Sequence, residues 1–254
     1  MSRQAAIGWT RLAVIVGSIF AIEILCRLKI INPLTLIPPS EMATSLWELI
    51  VTGRITDDIA QTFSTVAIAF ALSVVTGFIL GALIHALPRV RRAVDPLLAS
   101  YYSIPFFVFY PLLIALFGLN TIPLIVIGFV FATAAMVIST LNGLDRVPRV
   151  MSKTTRVLRM SSSSSVWFVT LPAAAPYLFT GLKLALAYSF IGVIAGEFIL
   201  SGGGLGYSIA YAYNNFDNQT MYALMMFVLV IATIMNGALH VFEQRMMRRR
   251  TRRS

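Results

Sequence analysis

Residues Tyr177–Leu200 read YLFTGLKLALAYSFIGVIAGEFIL, an apolar run whose only charges are Lys183 and Glu197. A helix needs about 20 mostly apolar residues to cross the hydrocarbon of a bilayer. Lipid offers no partners to backbone N–H and C=O groups, so a run of this length must be helical. Five similar runs fall at about 9–30, 62–87, 97–118, 122–141 and 221–242. The expectation is an all-α, polytopic membrane protein with six transmembrane helices, forming one domain over 1–254.

Composition points the same way. The 254 residues are 58% hydrophobic and 12% charged, with mean hydropathy +0.83. Soluble domains carry about 25% charged residues, and a single core of this size cannot hide so much apolar surface. One cysteine, Cys26, excludes an internal disulfide. The two histidines, His85 and His240, lie far apart and no zinc-type spacing occurs, so neither a metal nor another cofactor is expected.

Lys and Arg accumulate in the inner loops of membrane proteins. With the N-terminus inside, the inner segments hold Arg3 and Arg11; Arg89, Arg91 and Arg92; Arg146, Arg149, Lys153, Arg156 and Arg159; and Arg245, Arg248, Arg249, Arg250, Arg252 and Arg253. The outer segments hold only Arg27, Lys29 and Arg54, and Lys183 lies in the inner end of the fifth run. Both termini are therefore expected in the cytoplasm. The net charge of +10 reflects this topology, not a nucleic-acid partner. The first run contains Glu23 and lacks a clean small-x-small cleavage site, so it reads as a signal-anchor helix. Glu23 either snorkels to the interface or pairs with Arg27 one turn on. Residues 31–61 are too polar to span, with LWELI as a short interfacial helix.

Upstream of the quoted run lies the longest inner loop, about 142–176, far more than a connection requires. It includes RVLRMSSSSSVWFVTLP, Arg156–Pro172, where five serines separate basic residues from an apolar, proline-ended segment. The apolar rhythm of Val147, Val150, Val157, Leu158 and Met160, then Val166, Trp167 and Val169, implies two short helices with a break near Arg159–Ser161. The serines either open the second helix, with Ser161 or Ser162 as its cap, or form a disordered tether.

This loop resembles the signature loop of binding-protein-dependent ABC importer permeases, in which an E-A-A-x-x-L-G helix precedes a short helix ending in L-P. LPAAAPYLFTGLKLALAYSFIGVIAGEFILSGGGLGY, Leu171–Tyr207, is similar to the nitrate, sulfonate and taurine branch. So in order are IPPSEMATSLWELI, AFALSVVTGFILGALIH, PRVRRAVDPLLASYYSIPFFVFYPLLIALFGL and LNGLDRVP. Counting back from Leu171-Pro172, the E-A-A triplet falls on Lys153, Thr154 and Thr155, and the glycine on Arg159. The resemblance implies a type I importer permease in the bacterial inner membrane, working as a homodimer. It also implies two ATP-binding subunits docked on the loop, through Arg149, Lys153, Thr154, Thr155, Arg156, Val157, Leu158 and Arg159, and a solute-binding protein outside. The chain itself lacks G-x-x-x-x-G-K-[ST], so nucleotide is not bound by that motif and the chain is not expected to be an enzyme. The bland alternative is a loop that merely satisfies charge bias.

For the solute path and outer gate, two groups stand out. Glu197 is a carboxylate within a span, which is costly unless it faces protein or water. With Gly204, Leu205, Gly206 and Tyr207 it reads as outer gate or binding-protein contact; otherwise it is solvated at headgroup level. Tyr102, Phe106, Phe109 and Tyr110 would share one face of a third helix bent by Pro105 and Pro111, lining a path or packing on neighbours. Gly77 and Gly81 give a close-approach face for the bundle or a dimer. An ion-coupled secondary transporter would need paired intramembrane acids or inverted repeats, and a membrane enzyme a convergent catalytic set; neither pattern is present.

Overall fold

The computed structural model describes residues 3–32 and 35–251; Arg252 and Arg253 of the basic tail lie outside the described residues. Its elements are helices: α1 (Arg3–Arg27), α2 (Pro39–Val51), α3 (Thr56–Ala86), α4 (Pro88–Ser100), α5 (Tyr110–Phe117), α6 (Thr121–Asp145), α7 (Arg149–Val157), α8 (Ser162–Ser165), α9 (Leu171–Leu200), α10 (Leu205–Asn214) and α11 (Asn218–Thr251). Among the described residues four helical stretches are long and apolar enough to cross a membrane: Thr56–Ala86, Thr121–Asp145, Ser162–Ile199 and Asn218–Arg245. The first expected span folds as the 25-residue helix α1.

The third expected span is corrected: residues 97–118 do not form one helix. α4 ends at Ser100, a 3-10 turn covers Tyr101–Ser103, a second covers Phe106–Phe109, and α5 is only eight residues long. Pro105 explains the break. It disfavours helical geometry in the residue before it, and Ile104 is extended at φ −84, ψ 119. Pro111 falls in the first turn of α5, where its missing N–H costs nothing.

α6 is the axis of the fold, packed along its length between α3 and α9. Small residues permit this. A Cβ on Gly77 would lie 2.7 Å from Met136 Cβ, one on Gly81 2.7 Å from Thr140 Cβ, and one on Gly192 2.9 Å from Gly128 Cα. The Gly77/Gly81 face thus serves the bundle, against α6. α2, α10 and α11 form a second cluster around Leu49, Leu205, Ile209 and Leu224.

Ionic contacts fix the ends. Arg91 donates to both oxygens of Asp145 at 2.5 Å, and His85 Nδ1 lies 3.1 Å from the same carboxylate, joining α3, α4 and α6. Lys183 pairs with Glu243 at 2.5 Å, joining α9 to α11. Glu23 pairs with Arg27 and accepts the Ser40 N–H at 3.0 Å. It thereby satisfies a free donor at the start of α2.

Candidate coupling loop, gate and solute path

α7 runs from Arg149 to Val157, and the chain breaks after it near Arg159–Ser161, where the apolar rhythm implies a break between two short helices. Of the residues expected to dock, Arg149, Lys153, Thr154, Arg156, Val157, Leu158 and Arg159 are exposed, and Thr155 is buried. Val157 is 81% and Leu158 66% exposed. The chain leaves α7 through Arg159 at φ 49, with Met160 N–H on Thr155 O at 3.0 Å and Arg159 N–H on Arg156 O at 3.1 Å. These two bonds are a Schellman ending, which normally takes glycine at the left-handed position.

The serine run opens a helix. Ser161 is extended at ψ 154 and its side chain accepts the Ser164 N–H at 3.2 Å, an N-cap. The helix then differs from expectation by not stopping before Pro172. It widens into a π turn over Val166–Thr170 and continues as α9. Pro172 has no N–H to return to Phe168, and an i→i+5 turn accommodates such a defect without breaking the rod. One continuous helix therefore joins the serines after α7 to the far end of the bundle.

At that far end Glu197 is fully buried, so the solvated alternative does not describe it. Thr62 Oγ1 donates to its carboxylate at 2.9 Å, and Gly206 N–H donates to Oε2 at 3.0 Å. Leu205 N–H donates to Thr62 Oγ1 at 2.9 Å, and Gly204 N–H to Asp58 Oδ1 at 3.0 Å. The free N–H groups that open α10 are thus satisfied by side chains of α3 and α9, and the carboxylates complement the positive end of the helix dipole. Gly204 has φ 97, and a Cβ there would lie 2.3 Å from Glu197 Oε1. Tyr207 is half-buried beside Tyr211, with ring centroids 6.1 Å apart. Asp58 and Thr62 were not singled out by sequence. Their signal is an acid and a hydroxyl one turn apart at the start of an apolar run.

The expected aromatic face does not form, because its helix is broken. Phe106 stacks near Tyr101, with centroids 4.7 Å apart, and meets Phe131 of α6 at 5.6 Å. Tyr110 is 1% exposed and packs with Leu124 and Ile127, while Phe109 is exposed. The side chain of Tyr102 lies outside the described residues. On α6 below Phe131, at i+4, i+7 and i+11, follow Ala135, Ile138 and Asn142, which with Ser139 of α6 and Tyr177, Thr180 and Tyr188 of α9 line an open groove of about 240 Å³. Above it, Tyr110, Gln61 and Asn120 border a cavity of about 190 Å³. The aromatic segment therefore lies between an upper cavity and a lower groove of mixed lining. The groove residues recur at helical spacing, and the groove's polar side chains lie among Ala135, Ile138 and Leu184.

The chain matches the family described as "Binding-protein-dependent transport system inner membrane component" over residues 73–248. It is 28% identical over 208 residues to the nitrate import permease protein NrtB of Leptolyngbya laminosa, covering 78% of this chain and 75% of that protein. It is 25% identical over 251 residues to the taurine transport system permease protein TauC of Escherichia coli (strain K12), covering 97% of this chain and 90% of that protein. Its fold is similar to a chain of the MetNI methionine ABC transporter solved in inward-facing conformations, with TM-score 0.63 and 20% identity over 75% of this chain and 94% of that one. Fold, family match and relatives agree: this chain belongs to the binding-protein-dependent transport system inner membrane components, and is a multi-pass ABC importer permease of the nitrate, sulfonate and taurine branch.

Proposed function

We propose that the chain forms the translocation path for a small organic solute or anion and is driven by separate ATP-binding subunits acting on α7. The observation that carries this reading is the exposure of Val157 and Leu158 on a basic helix tied, through the serine-capped rod, to the far end of the bundle. Closure of an ATPase pair would displace α7, and the continuous helix would carry that displacement to α10, a two-state element biased at a distance. The Lys/Arg distribution supports a cytoplasmic side that carries α7 and both ends of the chain.

The solute would pass from a binding protein into the cavity beside Tyr110, past Phe106 and Phe109, and into the groove of Asn142, Thr180 and Tyr188. Glu197, Gly204, Leu205, Gly206 and Tyr207 would act at the outer gate by holding α10 in place. Asn142, Ser139 and Thr180 in that groove are poorly matched to lipid, which favours a second permease copy or an aqueous path opposite them. The similarity to nitrate and taurine permeases supports a small, oxyanion-bearing solute class.

The test is proteoliposome uptake with the cognate ATP-binding subunit and solute-binding protein. The Val157→Asp/Leu158→Asp variant should insert normally but lose uptake and lose the rise in ATP hydrolysis that the loaded binding protein causes. Normal uptake by that variant refutes the docking role.

A further inference from the structure

We infer that the permease itself carries an anion-binding site at the lower end of the α6/α9 groove, with Arg146 as its cation, for a small oxyanion such as nitrate or a sulfonate. The inference rests on the groove as solute path and adds the residues and ligand chemistry of one site along it. On α6, Ser139 and Asn142 line the groove. Arg146 follows at i+7 and i+4 from them and extends the same row, just past the last residue of α6. On α9, Tyr177 and Thr180 line the groove opposite. Arg146 Nη1 donates to the Tyr177 hydroxyl at 3.1 Å, and its guanidinium lies 5.2 Å from the centre of that ring. The cation is thus fixed to the groove wall.

Donors and charge both favour an anion. One bond to Tyr177 leaves most of the guanidinium N–H groups free, and the Tyr177 hydroxyl, accepting from Arg146, keeps its own hydrogen to donate. Among the described residues the Ser139 hydroxyl and the Asn142 amide have no side-chain hydrogen bond. Thr180 spends its hydroxyl hydrogen on Pro176 O at 3.1 Å, so it shapes the groove without donating. Among the described residues Arg146 is in no ion pair. Its neighbour Asp145 is held by Arg91 through both oxygens at 2.5 Å, and no acid lines the groove. The positive charge at its lower end is therefore uncompensated and attracts anions. Lys183 does not compete for this role: it pairs with Glu243 at 2.5 Å and borders a separate pocket with Phe190 and Leu239. A planar guanidinium fork matches the paired oxygens of an oxyanion. A single cation beside an open groove binds weakly, which suits a site that solute must leave.

The test has a binding arm and a transport arm. Full-length permease in neutral detergent, without its partners, is heated with up to about 50 mM sodium nitrate or sodium methanesulfonate, against sodium chloride at equal ionic strength, since a ligand of the folded state raises the unfolding midpoint. At least one oxyanion should raise the midpoint above chloride. Arg146→Gln should remove that rise, and Arg146→Lys should keep part of it. In proteoliposomes Arg146→Gln should cut uptake about tenfold, the scale expected for losing a charged hydrogen bond, while the loaded binding protein still stimulates ATP hydrolysis; Arg146→Lys should restore part of the uptake. No rise over chloride, a rise that survives in Arg146→Gln, or normal uptake by Arg146→Gln overturns the inference. So does an Arg146-dependent rise with phosphatidylglycerol that neither oxyanion produces, because the cation would then serve a lipid headgroup. Failure of the path reading is separate: if Asn142→Leu and Thr180→Leu also transport normally, the groove is not the path, whereas their loss of uptake beside a normal Arg146→Gln removes the anion site alone.

Discussion

Arg159 carries a backbone conformation that an L-residue adopts at a cost of roughly 1–2 kcal/mol, yet it sits where the resemblance places glycine. The hydrogen bonds of Met160 and Arg159 to the end of α7 hold it there. Arg159→Gly should therefore stabilise the end of α7 by about 1 kcal/mol, read as slower hydrogen exchange at the Met160 amide. Arg159→Val, β-branched at positive φ, should act in the opposite direction. A different constraint acts at Glu197. Glu197→Ala leaves the Gly206 N–H and the Thr62 hydroxyl without their shared acceptor, at a cost of about 2 kcal/mol. Gly204→Ala both strains the backbone and collides with that carboxylate. Both variants should lower the thermal unfolding midpoint of the detergent-purified protein by several degrees, and an unchanged midpoint would remove the capping role. The sequence marks Glu197 as an acid inside an apolar run. Its partner Thr62 lies 135 residues away, and no local pattern connects the two.

At the scale of the element, the serine run is the first turn of a helix that does not end until Leu200. This makes the order of its variants predictable. Replacing Ser162–Ser165 with alanine keeps a helix former at each position and should leave ATP-dependent uptake near wild type. Ser161→Ala removes the cap and costs about 1 kcal/mol. A Gly-Ser replacement of Ser161–Ser165 should lower uptake most, since a flexible start cannot transmit a push to α9. Equal uptake by the alanine and Gly-Ser versions would mean that the run is only a tether. The N-cap type of Ser161 was legible because a serine before an apolar rhythm is a local signal. The π turn was not, because it depends on how Pro172 is accommodated within a longer helix. The third apolar run shows the same limit. Its prolines signal a bend and Pro105 breaks the helix, but the contacts that Phe106 and Phe107 then make with Phe131 on α6 follow no local pattern.

For the whole molecule, the organising fact is that α6 is covered by α3 and α9 but leaves a groove of mixed lining open beneath the aromatic segment. If that groove carries solute, Asn142→Leu and Thr180→Leu should cut uptake by about tenfold, a loss of about 1.4 kcal/mol. Association with the ATP-binding subunit, measured in the same samples, should stay unchanged. Loss of both together would point to a folding defect instead. Apolar length and the placement of Lys and Arg are properties of the chain itself, read by lipid and membrane potential without reference to any other segment. The sequence alone therefore determined that this is a helical, multi-pass protein with one unusually long basic loop. Only the tertiary structure decided which helix is the axis, that the third run breaks, that Glu197 closes the start of α10 with Asp58 and Thr62, and that polar residues of α6 and α9 meet in one groove. Each of these depends on two distant segments approaching within a few ångströms, and packing, not local preference, sets that distance.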